Sequence, residues 1–282
     1  MSKRIYFNAF HMICMVHPGR QFAARHAECV FVLGPTPQIA GQYIRDTRAR
    51  AQQQGRNPED ILFFAYVKMI TGDTEAAARK KYDEFFEQIS YDGGLALLSG
   101  WSGLDFGKFD PDQPLEYIET NAVRTLVHAF TEADPSRKWT MRDLARFVGI
   151  GGAGPVLVGA PEQIADSLQE WVRAGVDGFN LAYAITPGTT TDFIDYVVPE
   201  LVRRGRVQTD YKPGTFREKL IGTAGPYAED SHPAAKWRGH FAGKESVASK
   251  THPSRFEVNL KVEKHGAGPG SEASKIKAKS RG

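Results

Sequence analysis

Apolar residues along this chain recur at two spacings. Short continuous runs, each long enough for one strand, alternate with stretches in which apolar residues return every third or fourth position. "FNAFHMICMV" (7–16), "CVFVL" (29–33), "ILFFAYV" (61–67), "PVLVG" (155–159) and "VDGFNLAYA" (176–184) read as strands. In the last of these, Phe179, Leu181 and Tyr183 alternate with Asn180 and Ala182. Between the runs, "PTPQIAGQYIRDTRARAQQQG" sets Ile39, Tyr43 and Ile44 on one helical face, punctuated by Pro37 and Gly55. "GDTEAAARKKYDEFFEQI" offers Asp73 or Thr74 as N-cap with acids early in the helix. "APEQIADSLQEWVRAG" places Ile164, Leu168, Trp171 and Val172 on one face, with Pro161 in the first turn and Gly175 after the end. Strands alternating with helices predict an α/β fold of parallel β-α units, because parallel strands need a crossover. A closed barrel and an open sheet both satisfy the pattern.

Three stretches depart from this rhythm. Residues 90–120, "SYDGGLALLSGWSGLDFGKFDPDQPLEYIET", are rich in Gly, Pro and aromatics without sustained periodicity, and predict an irregular insertion or lid. Two helical segments follow, "NAVRTLVHAFTEA" and "TMRDLARFVG", the second opened by Thr140; later, "TTTDFIDYVVPELVRRG" is a helix that Pro199 should kink. From residue 223 the chain turns to His, Pro, Gly, Lys and Ser, which predicts a largely disordered extension over 223–282 beyond a folded region of 1–222. The opening "FNAFHMICMVHPGRQFAARHAECVFV" joins two strand-like runs by barely two helical turns, an unusually short link for neighbouring parallel strands.

Composition narrows the class without naming a chemistry. Apolar residues make up 41%, aromatics 11% and charged residues 24%, an ordinary balance for a globular protein. A formal charge of +3 gives no global reason to expect nucleic acid or acidic lipid as partner. Two cysteines, Cys14 and Cys29, make no disulfide framework and suit a reducing compartment. Lys3–Arg4 before "IYFNAFHMICMV" imitates a signal peptide, but Asn8 and His11 interrupt the apolar part, so the expected location is cytoplasmic.

Candidate chemistry is sparse. "GIGGAG" matches G-x-G-x-x-G through Gly149, Gly151 and Gly154, yet it follows a helix and runs into Pro155 and a strand. The dinucleotide fingerprint needs the reverse order, so the run reads as a flexible helix-to-strand loop. His11, His17 and His26 lie near Cys14 and Cys29 in a spacing that fits no standard metal site, and no metal is expected; His232 and His240 make no better case. Glu28 and Asp177 each adjoin a strand, where a carboxylate could reach a barrel mouth but more often serves structure. Lys275, Lys277, Lys279 and Arg281 read as a solvated tail.

Several phrases, taken in order, carry a resemblance: "KRIYFNAFHM", "GRQFAARHAECVFV", "GDTEAAAR", "GLALLSGWSGLDF", "TMRDLARF", "VGAPEQIADSLQEWVRAGVDGFNL", "DFIDYVVPELVRRG" and "TDYKPGTFREKL". They resemble the FMN-dependent monooxygenases typified by nitrilotriacetate and dibenzothiophene-sulfone monooxygenases, within the bacterial-luciferase-like superfamily. The resemblance implies a (β/α)8 TIM-barrel with FMN at the C-terminal ends of the strands. It also implies a separate NAD(P)H:flavin reductase that supplies reduced FMN, and O2 as co-substrate for oxidising a small organic molecule. Residues 90–120 match the family's insertion near the barrel mouth.

Against that family, the opening stretch becomes a seam. The "NAF" strand is the family's first, whereas the "GRxFAARxAE" helix follows its fifth, and here the two meet around Met15–Pro18. The expectation is an incomplete barrel lacking roughly strands 2–4 and most of strand 5, with residues 5–16 filling the fifth-strand slot beside 29–33. Most of the family's flavin contacts would be absent with them. Gly19 and Arg20 remain as candidates for the phosphate end of the cofactor, through helix-terminal N–H groups and a guanidinium; no catalytic residue carries over. Two readings follow: a flavin-dependent monooxygenase impaired by that loss, or a catalytically inactive truncated relative serving as an interaction module or arising from a mis-assembled gene. Open sheet edges would favour pairing with another chain, including a second copy.

Overall fold

The computed structural model describes residues 8–9, 17–115, 138–150, 152, 154–210, 213–222, 230 and 232–237. Five strands and nine helices of these residues follow the predicted alternation: β1 (Asn8–Ala9), α1 (His17–His26), β2 (Cys29–Val32), α2 (Pro37–Gln53), β3 (Leu62–Thr71), α3 (Glu75–Glu87), α4 (Tyr91–Ser102), α5 (Met141–Gly149), β4 (Val156–Gly159), α6 (Pro161–Arg173), β5 (Gly178–Ala182), α7 (Gly188–Asp192), α8 (Val198–Arg203) and α9 (Phe216–Ile221). The expected helix over 121–133 and most of the long strand expected over 5–16 lie outside the described residues.

All strand pairings are parallel and form one open sheet in the order β1-β2-β3-β4, with β5 also on β3. Asn8 and Ala9 pair with Cys29 and Val30, so the two runs flanking the short link are indeed neighbours. β3 is the shared strand. Its Leu62–Ala65 pairs β2, Phe64–Lys68 pairs β5, and Lys68–Thr71 pairs β4. Because the β2 and β5 ladders overlap at Phe64 and Ala65, those strands occupy opposite edges of β3.

The alternation within β2 and β3 sends Val30, Val32, Phe63, Ala65, Val67 and Met69 to one face, where all are buried. Ala24 of α1, Ile44 of α2, and Ile164, Leu168 and Trp171 of α6 cover them. The helices start where their side chains supply partners for free backbone N–H groups. Thr74 Oγ1 accepts from the Ala77 N–H at 3.2 Å, and Thr140 and Asp143 cap α5 reciprocally. The turn ahead of Pro199 widens to π geometry over Phe193–Val197, linking α7 to α8. A proline has no N–H and its ring crowds the preceding turn, so the loosened turn gives it room.

Residues 91–102 correct the expectation of an irregular insertion: they form α4, which packs on α5. Ser90 caps it, its hydroxyl accepting from the Gly93 N–H at 3.0 Å. Leu95 and Leu98 of α4 join Phe106, Leu115, Met141, Leu144 and Val148 in a second, smaller core. One of the glycines that hide this helix from periodicity, Gly94, is what lets it pack. A Cβ at Gly94 would lie 2.2 Å from the Ala145 carbonyl oxygen, so only glycine admits the close crossing.

Two substitutions in α4 therefore have opposite signs. Gly100 has open space where a Cβ would go, so Gly100→Ala should raise stability by about 0.5–1 kcal/mol through helix propensity. Gly94→Ala gains the same propensity but meets backbone, and overpacking costs about 1–3 kcal/mol. Urea unfolding of the two variants should move the midpoint up for Gly100→Ala and down for Gly94→Ala.

Candidate functional site

In parallel α/β sheets, ligands gather at the carboxyl ends of the strands. The face of the sheet turned away from the helices carries the residues of alternate parity: Phe31 on β2, and Phe64, Tyr66 and Lys68 on β3, Phe64 toward the amino end and Lys68 toward the carboxyl end. Phe31, Phe64 and Tyr66 are half-buried, and the Phe31 and Tyr66 rings meet edge to face at 6.0 Å. Asn180 of β5 lies beside Tyr66 in register and is exposed. Tyr183, just past β5, is 62% exposed. Burial, then the neighbouring Tyr183, raises the Tyr66 hydroxyl above its ordinary pKa.

Lys68 is the charged group of this cluster and is fully buried. Its Nζ donates to the Gly152 carbonyl at 3.0 Å and sits 5.6 Å from the centre of the Tyr66 ring. Among the described residues no carboxylate pairs with it. Burial alone pulls its pKa down to about 8. The loop over it is the "GIGGAG" run, which joins α5 to β4 in the helix-to-strand order expected of a non-nucleotide loop. Gly152 and Gly154 of this run lie against Tyr66. A Cβ at Gly154 would fall 1.9 Å from the tyrosine ring, and Gly152 has φ +114°, a left-handed conformation that favours glycine. Sequence reading missed Lys68, although one lysine inside "ILFFAYVKMI" was the visible signal. Beyond it, Lys81 of α3 donates to the Thr71 carbonyl at 3.1 Å and pairs with Asp192 at 2.7 Å, tying the end of β3 to α7.

The sequence-derived candidates fall elsewhere. Gly19 is buried in the first turn of α1, and Arg20 is held by α2: its Nε lies 3.1 Å from the Asp46 carboxylate and its guanidinium covers Tyr43 at 5.4 Å. Glu28 and Asp177 both lie at the amino ends of strands. Glu28 receives two hydrogen bonds from the buried guanidinium of Arg217 on α9, at 2.8 and 2.5 Å. Burial would raise its pKa, but those hydrogen bonds and the Arg217 charge outweigh it and hold the carboxyl low. Asp177 accepts from the Phe63 N–H at 2.8 Å, facing Arg48 at 3.5 Å. Both carboxylates are structural. Cys29 is a free thiol pushed up to about 11 by burial and then by Glu28, far from a reactive thiolate.

Among the described residues no group of His, Cys, Asp and Glu could hold a metal. His11, Cys14, His240 and the tail lysines lie outside them. His232 is buried: it accepts at Nδ1 from the Ala234 N–H (3.1 Å), which leaves Nε2–H to donate to the His26 carbonyl at 3.0 Å. No described helix is long and apolar enough to cross a membrane.

The depressed Lys68 pKa has a stability consequence with a definite sign. Between pH about 8 and the ordinary lysine value of 10.5, the unfolded chain carries a proton that the folded chain lacks. Stability should therefore rise with pH across that window, and the burial penalty should be complete below it. In Lys68→Met the rise should vanish, measured as urea midpoints at pH 7.5 to 10.

Comparison with known proteins places this geometry in a family. The luciferase-like monooxygenase family matches residues 14–178. Dimethyl-sulfide monooxygenase of Hyphomicrobium sulfonivorans is 50% identical over 239 residues, covering 84% of this chain and 50% of that protein. Nitrilotriacetate monooxygenase component A of Aminobacter aminovorans is 33% identical over 214 residues, covering 74% and 47%. A crystal structure of DmoA from Hyphomicrobium sulfonivorans superposes with a TM-score of 0.73 at 49% identity, covering 85% of this chain and 51% of that one. The chain thus spans about half the length of the curated relatives it matches. With more than half of its residues matched, and a parallel sheet carrying its polar cluster on β3, the chain belongs to the luciferase-like monooxygenase family.

Proposed function

We propose that this chain carries part of a flavin-dependent monooxygenase, an enzyme that uses reduced FMN and O2 to oxidise a small organic substrate. The family match over residues 14–178 is the observation that carries this reading. A separate NAD(P)H:flavin reductase would supply the reduced cofactor in the cytoplasm. The 50% identity to a dimethyl-sulfide monooxygenase makes small organic sulfides the first substrates to test. Reduced FMN would supply the oxygen-activating chemistry. The protein's part would be to position it and exclude water.

The described residues wall such a cofactor on one side without enclosing it. The Phe31–Tyr66 face is half-exposed, Leu181 is 46% and Tyr183 62% exposed, and Arg20 already pairs with Asp46. A ligand site of this size normally buries most of its ligand. The reading that accounts for this is an incomplete (β/α)8 barrel without strands 2–4 and most of strand 5. In it β1 takes the fifth-strand place beside β2, supported by the Asn8–Cys29 pairing. Gly19 and Arg20 would keep a remnant of the phosphate end. Flavin binding by this chain alone is accordingly impaired, and the open edges favour association with another chain, including a second copy. The rival reading is an inactive relative that acts through those edges.

Calorimetric titration with reduced FMN, under anaerobic conditions and beside the Hyphomicrobium sulfonivorans relative, separates the two. The impaired enzyme should bind about ten- to a hundred-fold more weakly than the relative, and Arg20→Ala should erase its preference for FMN over riboflavin. Binding as tight as the relative's would refute impairment. No detectable binding of either flavin would favour the inactive module.

A further inference from the structure

Among the described residues the sheet is at most four strands wide. Phe64 and Ala65 of β3 pair β2 on one edge and β5 on the other, whereas Lys68 pairs β4 and β5. β4 therefore stands on the same edge of β3 as β2, continuing it toward the carboxyl end rather than widening the sheet. Across the amino half the order is β1-β2-β3-β5, and among the described residues β1 pairs only β2 and β5 pairs only β3. Each of these outer strands keeps one open edge. Natural sheets blunt such edges with charged side chains, proline or a covering element. From Gly178 to Thr186 the sequence has no Asp, Glu, Lys, Arg or Pro, and residues 5–16 have none either. Leu181 follows the parity of Phe179 onto the helix-covered face, yet it is 46% exposed, with Tyr183 and Ile185 beyond it also exposed. Apolar side chains thus stay open where a further β-α unit would pack.

The two edges complement each other. A two-fold axis running along the strands keeps every strand parallel, sets β5 of one copy beside β1 of the other, and repeats that contact on the far side. Two sheets of four strands supply eight, the number that closes a parallel α/β barrel. We propose that this chain forms a two-fold dimer in which two four-stranded sheets close one eight-stranded barrel through a pair of β5–β1 contacts. The faces that carry Phe31, Phe64, Tyr66 and Asn180, half-buried or exposed in one copy, then turn inward against each other. This inference rests on the incomplete-barrel reading above and names what completes it: a second copy supplies the wall opposite Phe31 and Tyr66.

Sedimentation equilibrium of the full chain without flavin should show a dimer at loadings above about 10 μM and no larger species. Leu181→Lys/Tyr183→Lys sets two charges beside the β5 edge and should weaken the dimer by about ten-fold or more, with circular dichroism unchanged. Cross-linking reads the arrangement, in a Cys14→Ser/Cys29→Ser background. A mixture of the Ala9→Cys and Asn180→Cys chains should give a 9–180 product with a short bis-maleimide, and neither chain alone should cross-link. A monomer at every loading would overturn the proposal and leave the edges to a different chain, such as one carrying the family's earlier strands. Assemblies larger than a dimer, or a dimer without the 9–180 product, would overturn it as well. So would self-linked Asn180→Cys, which marks antiparallel pairing of two β5 edges. If the lysine variant fails to fold, the cross-link alone decides. With flavin absent throughout, a negative result rejects the dimer and leaves the monooxygenase reading to its own titration.

Discussion

The architecture rests on one ten-residue strand that satisfies its backbone on both edges. β3 meets β2 with its first residues, β5 with its middle and β4 with its last. A buried backbone group without a partner costs as much as a lost hydrogen bond, so a strand this long in a core demands neighbours along its whole length. The same strand fixes both faces of the sheet. Phe63, Ala65, Val67 and Met69 are buried under the helices, and that parity leaves Phe64, Tyr66 and Lys68 on the other side. A one-residue slip in β3 would place the lysine in the helix-packed core, so the register that builds the core also sets the chemistry of the open face.

Two long-range polar ties hold the amino ends of the strands. Arg217 grips Glu28 with two hydrogen bonds across 189 residues of sequence, and Asp177 accepts from the Phe63 amide while its own N–H donates to the Phe63 carbonyl at 2.8 Å. Both carboxylates sit at the end of the sheet where barrel proteins place stability rather than catalysis. With Arg217 buried, the Glu28 charge answers a cation already committed to the interior, a pairing whose loss leaves one charge stranded.

The parts of this fold legible in the sequence are those set by neighbours in the chain. Thr74 and Thr140 as caps, Pro161 at the start of α6 and the stripe of Ile164, Leu168 and Trp171 are local patterns, and each stands where the spacing put it. α4 was hidden because Gly93, Gly94 and Gly100 mimic loop punctuation, and the reason for Gly94 is a carbonyl on α5, 51 positions away. Lys68 stood in plain view but had no partner pattern to give it meaning; the loop that covers it lies 84 residues further on. The helix start that carries Arg20 was legible, whereas its Asp46 partner on α2 was not.

The two edges of β3 also differ in how much chain must be organised to make them. Cys29 and Leu62 are 33 positions apart, with one helix and a short turn between them, whereas Phe64 and Gly178 are 114 apart, across α3, the α4–α5 core, β4 and α6. Closing the longer loop costs about 1 kcal/mol more in chain entropy, and β5 offers a half-exposed surface in return. β2 joins β3 through a local connection, whereas β4 and β5 reach it only across 88 and 114 positions, so the flank of Tyr66 exists only once most of the chain is in place.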